Sequence, residues 1–423
     1  MAKSSALVGG VSSNFRINPY TGSRMYLEKA DGCRIRTTDG REYIDFFMGH
    51  GANLLGHNVP EIRKAVEKVF DRGFYAEFDS EDNLHLAELV AKHIPAAEAV
   101  RYTNSGTEAT LLIFRLLRAY TGRKLVIRID GHFHGATDYS IPNWLWRHID
   151  TSNHGGTTSK MEQVAGVPED IANTIRLIPW NDIPALKKVI AEEGPNIAGM
   201  IMNPIDFNNG CVTTTSEYLQ EVKDILHANG SVMVLDEILA GFKTGISCAQ
   251  GYYGVTPDLC SLSKAFSNGV PISAVAGKRE IMEIVMNKEK EVVAGGTFSG
   301  NQIGVQAAIT SLNMMSREGF YDRLLGNAEY FFGEIERIFK AKQFPAVIQH
   351  VGAMFGLYFG TTDPVANYKQ FPNLDWELGK RFYRKVIEKG LYFHTDFTVS
   401  AAHERTDLDR ALEVIESTID EIS

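Results

Sequence analysis

Residues 231–237 read SVMVLDE, and residues 259–264 read LCSLSK. Each is a short apolar run followed by a residue able to carry chemistry, an acid in the first case and a lysine in the second. Further runs of this kind occupy 124–129, 174–179, 197–205 and 272–277. Almost wholly apolar strands are typical of a sheet that is covered on both faces. These runs therefore predict the strands of a buried central sheet.

Amphipathic segments separate these runs. The apolar side chains of 216–229 fall on one helical face, and Gly230 follows as a helix stop. The segment 183–193 has the same character. Strands that alternate with helices of this length indicate βαβ crossovers and a largely parallel sheet, so we expect an α/β protein with a large central domain. The Ser-, Thr- and Gly-rich residues 152–166 predict a long surface loop, a kind of segment that is often functional.

The two ends of the chain follow a different pattern. Residues 26–47 alternate in polarity around an Asp39-Gly40 turn, which predicts a hairpin. Residues 350–359 predict one extended stretch, and an amphipathic helix is expected to begin near Thr406. We expect both ends to join in a smaller α+β domain. The predicted divisions are 1–60 and 321–423 for the small domain and 61–320 for the large domain.

Composition excludes several classes of protein. The 423 residues are 44% hydrophobic and 22% charged, which is typical of a globular chain. A net charge of −9 without a basic block argues against nucleic acid as a partner. Four dispersed cysteines predict reduced thiols, and no apolar run is long enough for a signal peptide or a membrane span. We therefore expect a cytoplasmic protein. The histidines show no metal-binding spacing, so we expect no metal.

A possible phosphate seat lies at 104–108, which reads NSGTE before an apolar helix. Ser105, Gly106 and Thr107 would stand at the helix start, where free N–H groups and the positive end of the dipole favour an anion. An ordinary helix cap has the same composition, so this motif alone leaves both interpretations open.

Asp236 and Lys264 make the anion interpretation more specific. Ligands of open α/β sheets bind at the carboxyl ends of strands, where Asp236 is predicted and where an acid can hold a protonated ring nitrogen. A lysine behind a buried strand can serve as an amine nucleophile. Each residue alone has a structural explanation, as a strand-end cap or a surface lysine. Together with a phosphate seat, they are what pyridoxal 5'-phosphate requires.

With these motifs the chain resembles the class III (ω-) aminotransferases of the type I pyridoxal-phosphate transferase fold, particularly the branch of glutamate-1-semialdehyde aminomutase. The resemblance spans nearly the whole chain. The matching stretches are GGVSSNFR (9–16), GREYIDF (40–46), NSGTEAT (104–110), GHFHGATD (131–138), LDEILAGF (235–242), YYGVTPDL (252–259), SLSKAFSNGVPISAVAGKREIM (261–282), GGTFSGNQ (295–302), VGAMFGLYF (351–359) and VSAAH (399–403).

The resemblance implies roles for the motif residues. Lys264 would bond the cofactor and shuttle a proton, and Asp236 would pair with the pyridine nitrogen. The cofactor phosphate would be held by Ser105, Gly106 and Thr107.

The resemblance extends to residues outside these motifs. Thr297 would reach the phosphate of the neighbouring subunit in a homodimer with shared active sites. Phe133 replaces a Tyr that stacks on the ring, and Asn208 matches an Asn near the phenolic oxygen. Arg16 matches an Arg that grips the substrate carboxylate, a role that suits a bidentate guanidinium.

His50 and His134 are further candidates for substrate contact, although a lone histidine is often structural. Three departures from the family pattern bear on the choice between sub-functions. Asn203-Pro204 replaces a frequent Glu-Pro, Lys243 replaces an Arg, and His50 stands where the aminomutase has an aromatic residue. We expect the change at Asn203-Pro204 to alter the local hydrogen bonding.

The segment 390–403 bears on the reaction. It is about four residues shorter than the aminomutase equivalent and contains no Glu before Val399. We therefore expect a transaminase with ping-pong kinetics. It would move an amine on a β or more distant carbon of a carboxylate-bearing amino acid to a 2-oxo acid such as 2-oxoglutarate or pyruvate. Alternatives are the aminomutase, a racemase or epimerase on the same scaffold, and a cofactor-binding protein without activity.

Overall fold

The computed structural model describes residues 6–143, 165–289, 291–394 and 396–422. Its strands are β1 (Leu27–Asp31), β2 (Arg34–Thr37), β3 (Glu42–Asp45), β4 (Ala99–Thr103), β5 (Leu125–Ile129), β6 (Ile175–Ile178), β7 (Ile197–Met202), β8 (Val232–Asp236), β9 (Leu259–Leu262), β10 (Ser273–Gly277), β11 (Ala346–Val351), β12 (Met354–Phe359), β13 (Leu391–Tyr392) and β14 (Phe397–Thr398).

The helices are α1 (Met48–Gly51), α2 (Pro60–Asp71), α3 (Glu81–His93), α4 (Gly106–Thr121), α5 (Glu169–Ala172), α6 (Ile183–Glu193), α7 (Ser216–Ala228), α8 (Cys248–Tyr253), α9 (Arg279–Met282), α10 (Gln302–Met315), α11 (Phe320–Ala341), α12 (Trp376–Glu388) and α13 (Arg405–Ile422). None of the helices in the described ranges is long and apolar enough to cross a membrane. The predicted loop at 152–166 lies almost wholly outside these ranges.

A seven-stranded sheet in the order β4-β10-β9-β8-β7-β5-β6 forms the centre of the fold. Strands β9, β8, β7, β5 and β6 pair in parallel, and β10 is antiparallel to both of its neighbours. The predicted parallel-rich α/β architecture is confirmed. Strand β4, at the edge of the sheet, was not predicted from the sequence, and only the last of its five residues is buried.

Both faces of this sheet are covered by helices. In β8, Val232 and Val234 belong to the core beneath α4, whereas Met233 and Leu235 belong to the core beneath α6 and α7. Alternating side chains of one strand therefore serve two apolar layers, which explains its continuous apolar sequence. β7 ends at Met202 and not at the predicted residue 205. Pro204 follows, and proline has no N–H to donate to a ladder.

Two smaller sheets lie toward the chain ends. β1, β2 and β3 form the predicted antiparallel hairpin region, and β13 from the C-terminal part joins β3 in parallel. This pairing brings the two chain ends into one sheet, while the residue limits proposed for the domains stay predictions.

The third sheet is β11-β12-β14. The prediction of one extended stretch at 350–359 was wrong, because β11 and β12 are antiparallel strands joined by a tight turn. Gly352 in this turn has φ +60°, and a Cβ there would lie 2.2 Å from the carbonyl oxygen of Lys243. Glycine is therefore required both by the backbone conformation and by the close approach of the large sheet's loop.

The core that joins these smaller sheets contains a buried neutral histidine. The His403 ring packs 4.6 Å from the Phe46 ring, and its Nδ1 accepts the Ser400 N–H at 2.9 Å. Burial lowers the pKa of His403 to about 4, against the opposing effect of Asp45 and Asp407. Protonation at Nδ1 would remove the acceptor for Ser400 and place an added charge in an apolar core.

We predict a contribution of His403 to acid sensitivity. Because its folded pKa lies below the unfolded value, its stabilisation is complete above about pH 6.5 and is lost as the pH falls toward 4. Between pH 7 and 4.5 this group should cost on the order of 2 kcal/mol of unfolding free energy. His403→Asn keeps an acceptor without the titration, so its urea-unfolding free energy should fall less over this range. Equal pH dependence in both proteins would contradict the assignment.

Candidate active site

A cavity of about 190 Å³ lies at the carboxyl ends of the parallel strands. It is the place where open α/β sheets bind ligands, since loops diverge there. The predicted site residues that line it are Gly106, Thr107, Phe133, Asn208, Asp236 and Lys264. Residues far apart in the sequence therefore line the same cavity.

One end of the cavity is formed by the start of α4. The Ser105 hydroxyl accepts the Glu108 N–H at 3.3 Å, so its side chain caps the helix. The next two residues, Gly106 and Thr107, face the cavity with the helix N-terminus behind them. A Cβ on Gly106 would lie 2.6 Å from Ile238 Cδ1. The glycine thus keeps this end of the cavity open for an anion.

Asp236 closes the strand end of the cavity. Its Oδ1 accepts the Ser261 hydroxyl at 2.9 Å and the Ile238 N–H at 3.1 Å, and its Oδ2 lies 2.7 Å from His134 Nδ1. The neighbouring Glu237 is fully buried and accepts two N–H groups at the start of α8. Of the two acids at this strand end, only Asp236 therefore belongs to the cavity.

His134 lies behind Asp236 and has no exposed surface. Burial lowers the pKa of His134 despite the adjacent carboxylate, so the imidazole is neutral and donates its Nδ1–H to Asp236. Its predicted contact with substrate gains no support from this geometry. The side chain instead orients the carboxylate that faces the cavity.

The loop that carries Phe133 is held by a residue that the sequence analysis missed. Arg128, in the apolar strand LVIRI, has no solvent exposure. Its guanidinium donates to the carbonyl oxygens of His132, Tyr139, Ser140 and Pro142 at 2.8–3.2 Å. An isolated arginine inside a strand that is otherwise apolar was the available signal, since a buried charge needs a dedicated set of partners.

Lys264 begins a short 3₁₀ turn directly after β9 and has φ +52°. A left-handed conformation is uncommon for a non-glycine residue, and such outliers cluster at functional sites. Burial lowers the pKa of Lys264, while Asp396 and Asp236 oppose the shift. A lowered pKa increases the fraction of free amine at neutral pH, as a nucleophile requires.

His50 and Asp396 form a hydrogen-bonded pair, and the Asp396 carboxylate acts on the charge of Lys264. The His50 Nδ1 lies 2.7 Å from Asp396 Oδ2, and the carboxylate is buried. Asp396 lies in the segment 390–403, but its role was not predicted from the sequence, where only the missing Glu was noted. No sequence signal links two residues 346 positions apart.

The N-terminal arm reaches the cavity from outside. The Phe15 ring meets the Phe133 ring edge-on at 5.8 Å, and the Asn18 amide donates to the Phe393 carbonyl at 2.9 Å. Arg16, between these two anchors, is exposed. The arm therefore places the residue next to Arg16, Phe15, against the ring expected to cover the ligand.

Thr297 is exposed and is not part of the cavity wall. Its carbonyl accepts the Glu77 N–H at 3.3 Å, which brings two chain segments together at the surface. These segments expose Phe78 at 72% and Phe298 at 56%. The surroundings of Thr297 are thus an apolar surface patch.

The chain is similar in sequence to known proteins. The sequence profile of the family described as aminotransferase class-III matches residues 18–418. A protein named glutamate-1-semialdehyde 2,1-aminomutase 2 from Exiguobacterium sp. is 31% identical over 98% of this chain and 94% of its own length.

Two solved structures share the fold. An omega-transaminase from Sphaerobacter thermophilus has a TM-score of 0.92 at 23% identity, covering 98% of this chain and 95% of its own. A structure described as a transaminase with PLP bound has a TM-score of 0.87 at 22% identity, with the same coverage.

We predict that Arg128→Met loosens the loop that carries Phe133. Four carbonyl oxygens would lose their donor, so the unfolding free energy should fall by roughly 2–4 kcal/mol. Hydrogen exchange of residues 131–143 should accelerate, as measured by mass spectrometry. Arg123→Met is the matched control, because Arg123 also donates to two backbone carbonyls but at the start of β5. Equal acceleration of the loop in both variants would contradict the role of Arg128.

Proposed function

The chain belongs to the class-III aminotransferase family and is an enzyme that uses pyridoxal 5'-phosphate, and from this premise we propose that it is a transaminase. It takes an amine from a β or more distant carbon of a carboxylate-bearing amino acid and delivers it to a 2-oxo acid such as 2-oxoglutarate or pyruvate. The observation that carries the proposal is the convergence of Lys264, Asp236 and the start of α4 on one cavity.

The cavity offers a suitable residue for each part of the cofactor. Gly106 and Thr107 offer helix N-terminal N–H groups to its phosphate. Asp236 lines the cavity and accepts three hydrogen bonds of the roughly four that a carboxylate can accept, so it can also receive a protonated ring nitrogen. Phe133 would cover a ring face. Lys264 stands where it can bond the cofactor. When bound, the cofactor supplies an electron sink for the carbon that bears the amine.

Lys264 carries the proton transfer in this proposal. Its Nζ, with a pKa lowered by burial, accepts the proton from the donor carbon and returns it at the cofactor side. His134 and Ser261 keep Asp236 in place during this transfer, because both donate to its carboxylate. Asn208 lines the same cavity and is assigned to the phenolic oxygen.

Arg16 supports a donor that carries a carboxylate. Its guanidinium is exposed on an arm that is anchored at Phe133, so it can receive a carboxylate at the cavity mouth. On this assignment the donor carries a carboxylate, and its reacting amine stands on a β or more distant carbon. His50, whose Nδ1 lies 2.7 Å from Asp396 Oδ2, is also assigned to the substrate.

A homodimer completes the proposed site. The apolar patch around Thr297 includes Phe78 and Phe298, and exposed apolar patches mark interaction sites. A second copy of this chain on the patch would bring Thr297 to the partner's phosphate. We place the enzyme in the cytoplasm, where four buried free cysteines stay reduced.

Two observations favour a second candidate, the glutamate-1-semialdehyde 2,1-aminomutase. The Exiguobacterium relative carries that name at 31% identity. Asp396 also supplies a buried carboxylate in 390–403, the segment whose missing Glu favoured a transaminase. The length of this segment and the replacement of an aromatic residue by His50 still favour the transaminase.

We predict that the purified enzyme exchanges amine with added oxo acid. A β-amino acid donor should convert the cofactor absorbance to its amine form in a single half-reaction, and 2-oxoglutarate or pyruvate should restore it. Arg16→Gln should raise KM for this donor about tenfold or more with little change in kcat, because charge-assisted hydrogen bonds are lost.

Arg24→Gln, an exposed arginine of the same N-terminal region, should leave KM unchanged. Efficient conversion of glutamate-1-semialdehyde without any added oxo acid would overturn the transaminase proposal in favour of the aminomutase. Loss of substrate chirality without keto acid formation would identify a racemase or epimerase.

We predict a dimer of twice the 47.0 kDa chain mass by light scattering. Phe78→Asp should shift the population toward monomer, because it buries a charge in an apolar contact. Thr297→Ala should leave the dimer intact and weaken cofactor retention in dialysis. If the wild-type protein is a monomer, and Thr297→Ala retains the cofactor as tightly as the wild type does, the shared site is contradicted.

A further inference from the structure

An asparagine of the active-site cavity has no role in the proposed reaction. Asn203 lines the same cavity as Asp236 and Lys264 and is 5% exposed. Its amide nitrogen is buried and finds no hydrogen-bond partner in the described part of the chain. The other unpartnered buried atoms of the described ranges belong to residues outside the cavity wall. Because an unpaired buried donor costs stability, we expect a bound ligand to supply its acceptor.

The register of the central sheet places Asn203 beside Asp236. Met202 of β7 and Leu235 of β8 are partners in the parallel pair. Asn203 and Asp236 follow them directly in the sequence. Neighbouring strands lie about 5 Å apart, so the two strand ends bring these residues side by side.

The side chains of Asn203 and Asp236 belong to the same face of the sheet. Met202 and Leu235 both belong to the core beneath α6 and α7. Successive side chains of a strand alternate between the two faces, so the residues that follow turn toward the face of α4. Both also line the cavity at which α4 begins. Asn203 is thus a neighbour of the carboxylate that would hold the ring nitrogen.

The backbone of Asn203 is held in place by its neighbours. Its N–H donates to His132 Nδ1 at 3.1 Å, and burial holds the pKa of His132 well below its usual value, so this nitrogen is an acceptor. Pro204 follows and restricts the conformation of Asn203. In the same loop, the Asn209 amide donates to the Gly131 carbonyl at 3.0 Å. The peptide that carries the Asn203 amide is therefore ordered in advance, which reduces the cost of binding a ligand.

The chemistry of the cofactor limits which of its atoms Asn203 can contact. The phosphate is assigned to the start of α4, and the protonated ring nitrogen is itself a donor, assigned to Asp236. The phenolic oxygen is an acceptor, separated from the ring nitrogen by a single ring carbon and adjacent to the carbon that Lys264 would bond. A deprotonated phenolic oxygen can accept more than one hydrogen bond, so Asn203 and Asn208 can both serve it.

We propose that Asn203 donates its amide N–H to the phenolic oxygen of pyridoxal 5'-phosphate, as a second donor beside Asn208. The inference rests on the proposed function, because it uses the ring nitrogen at Asp236 and the cofactor bond to Lys264. The negative charge of this oxygen favours a proton on the Lys264 nitrogen once that nitrogen is bonded to the cofactor. A donor to the oxygen stabilises the charge and so lowers the proton affinity of the nitrogen.

The test is a pH titration of the cofactor absorbance in the holoenzyme, which follows the proton on the Lys264 nitrogen without turnover. Asn203→Ala removes the donor and should raise the midpoint by about one pH unit, a tenfold change in proton affinity. Asn203→Asp has the same size, loses the amide donor and adds a negative charge, so it should raise the midpoint at least as far. Because Asn203→Asp leaves no void, it provides the same test if Asn203→Ala fails to fold.

Cofactor affinity, measured by equilibrium dialysis, is a second readout. Loss of a hydrogen bond to a charged oxygen should raise the dissociation constant for pyridoxal 5'-phosphate about tenfold in both Asn203 variants. Asn229→Ala is the matched control. The Asn229 amide donates to the Gly194 carbonyl at 2.9 Å and to Ser231 Oγ at 2.8 Å, at the opposite end of β8 from the cavity. Its loss should change neither the midpoint nor the dissociation constant.

The outcomes separate this inference from the proposed function. After borohydride reduction, mass spectrometry should find the cofactor attached to the wild-type chain and not to Lys264→Ala. Attachment in both would contradict the role of Lys264 and the inference with it. If attachment requires Lys264 but Asn203→Ala keeps the wild-type midpoint and dissociation constant, only the inference falls. A higher KM for the amino donor, with both cofactor readouts unchanged, would assign Asn203 to the substrate and would also overturn it.

Discussion

Burial of both faces of the central sheet is the constraint on which the rest of the structure depends. Because every position of β8 is buried, an acid is tolerated only at the strand end, where Asp236 finds three donors. The same constraint explains Arg128, whose charge inside β5 is satisfied by four carbonyl oxygens of the following loop. These two charged residues of β8 and β5 therefore hold the strand end and the loop that line the cavity.

Backbone conformation is the second theme of the site. Lys264 and His50 both occupy the left-handed region, at φ +52° and +56°, although neither is glycine. Such conformations persist only where surrounding contacts over-determine them. Here the contacts are the packed end of β9 for Lys264, and Asp45 and Asp396 for the turn that carries His50. The site thus combines strand ends with two strained residues, one in α1 and one in the turn after β9.

Much of this arrangement could be predicted from the sequence, and for identifiable reasons. The predicted segment 183–193 coincides with α6, and Lys264, Asp236 and the start of α4 do meet at one cavity. Local patterns were sufficient there, because strand ends and helix starts of a parallel sheet converge at one edge. The turn at Gly352 was missed, since a run of apolar residues does not reveal where the chain reverses. The edge strand β4 was missed because most of its residues are not buried and so do not form an apolar run.

By itself, the sequence determined the α/β class, the family and the cofactor, because these depend on local periodicity and on motifs a few residues long. Only the tertiary structure decided which polar groups face each other. His134 turned out to lie behind Asp236, and His50 pairs with Asp396, a residue 346 positions away. The physical reason is that hydrogen bonds and charges act over a few ångströms in space. Sequence separation carries no information about such distances until the sheet and its loops are folded.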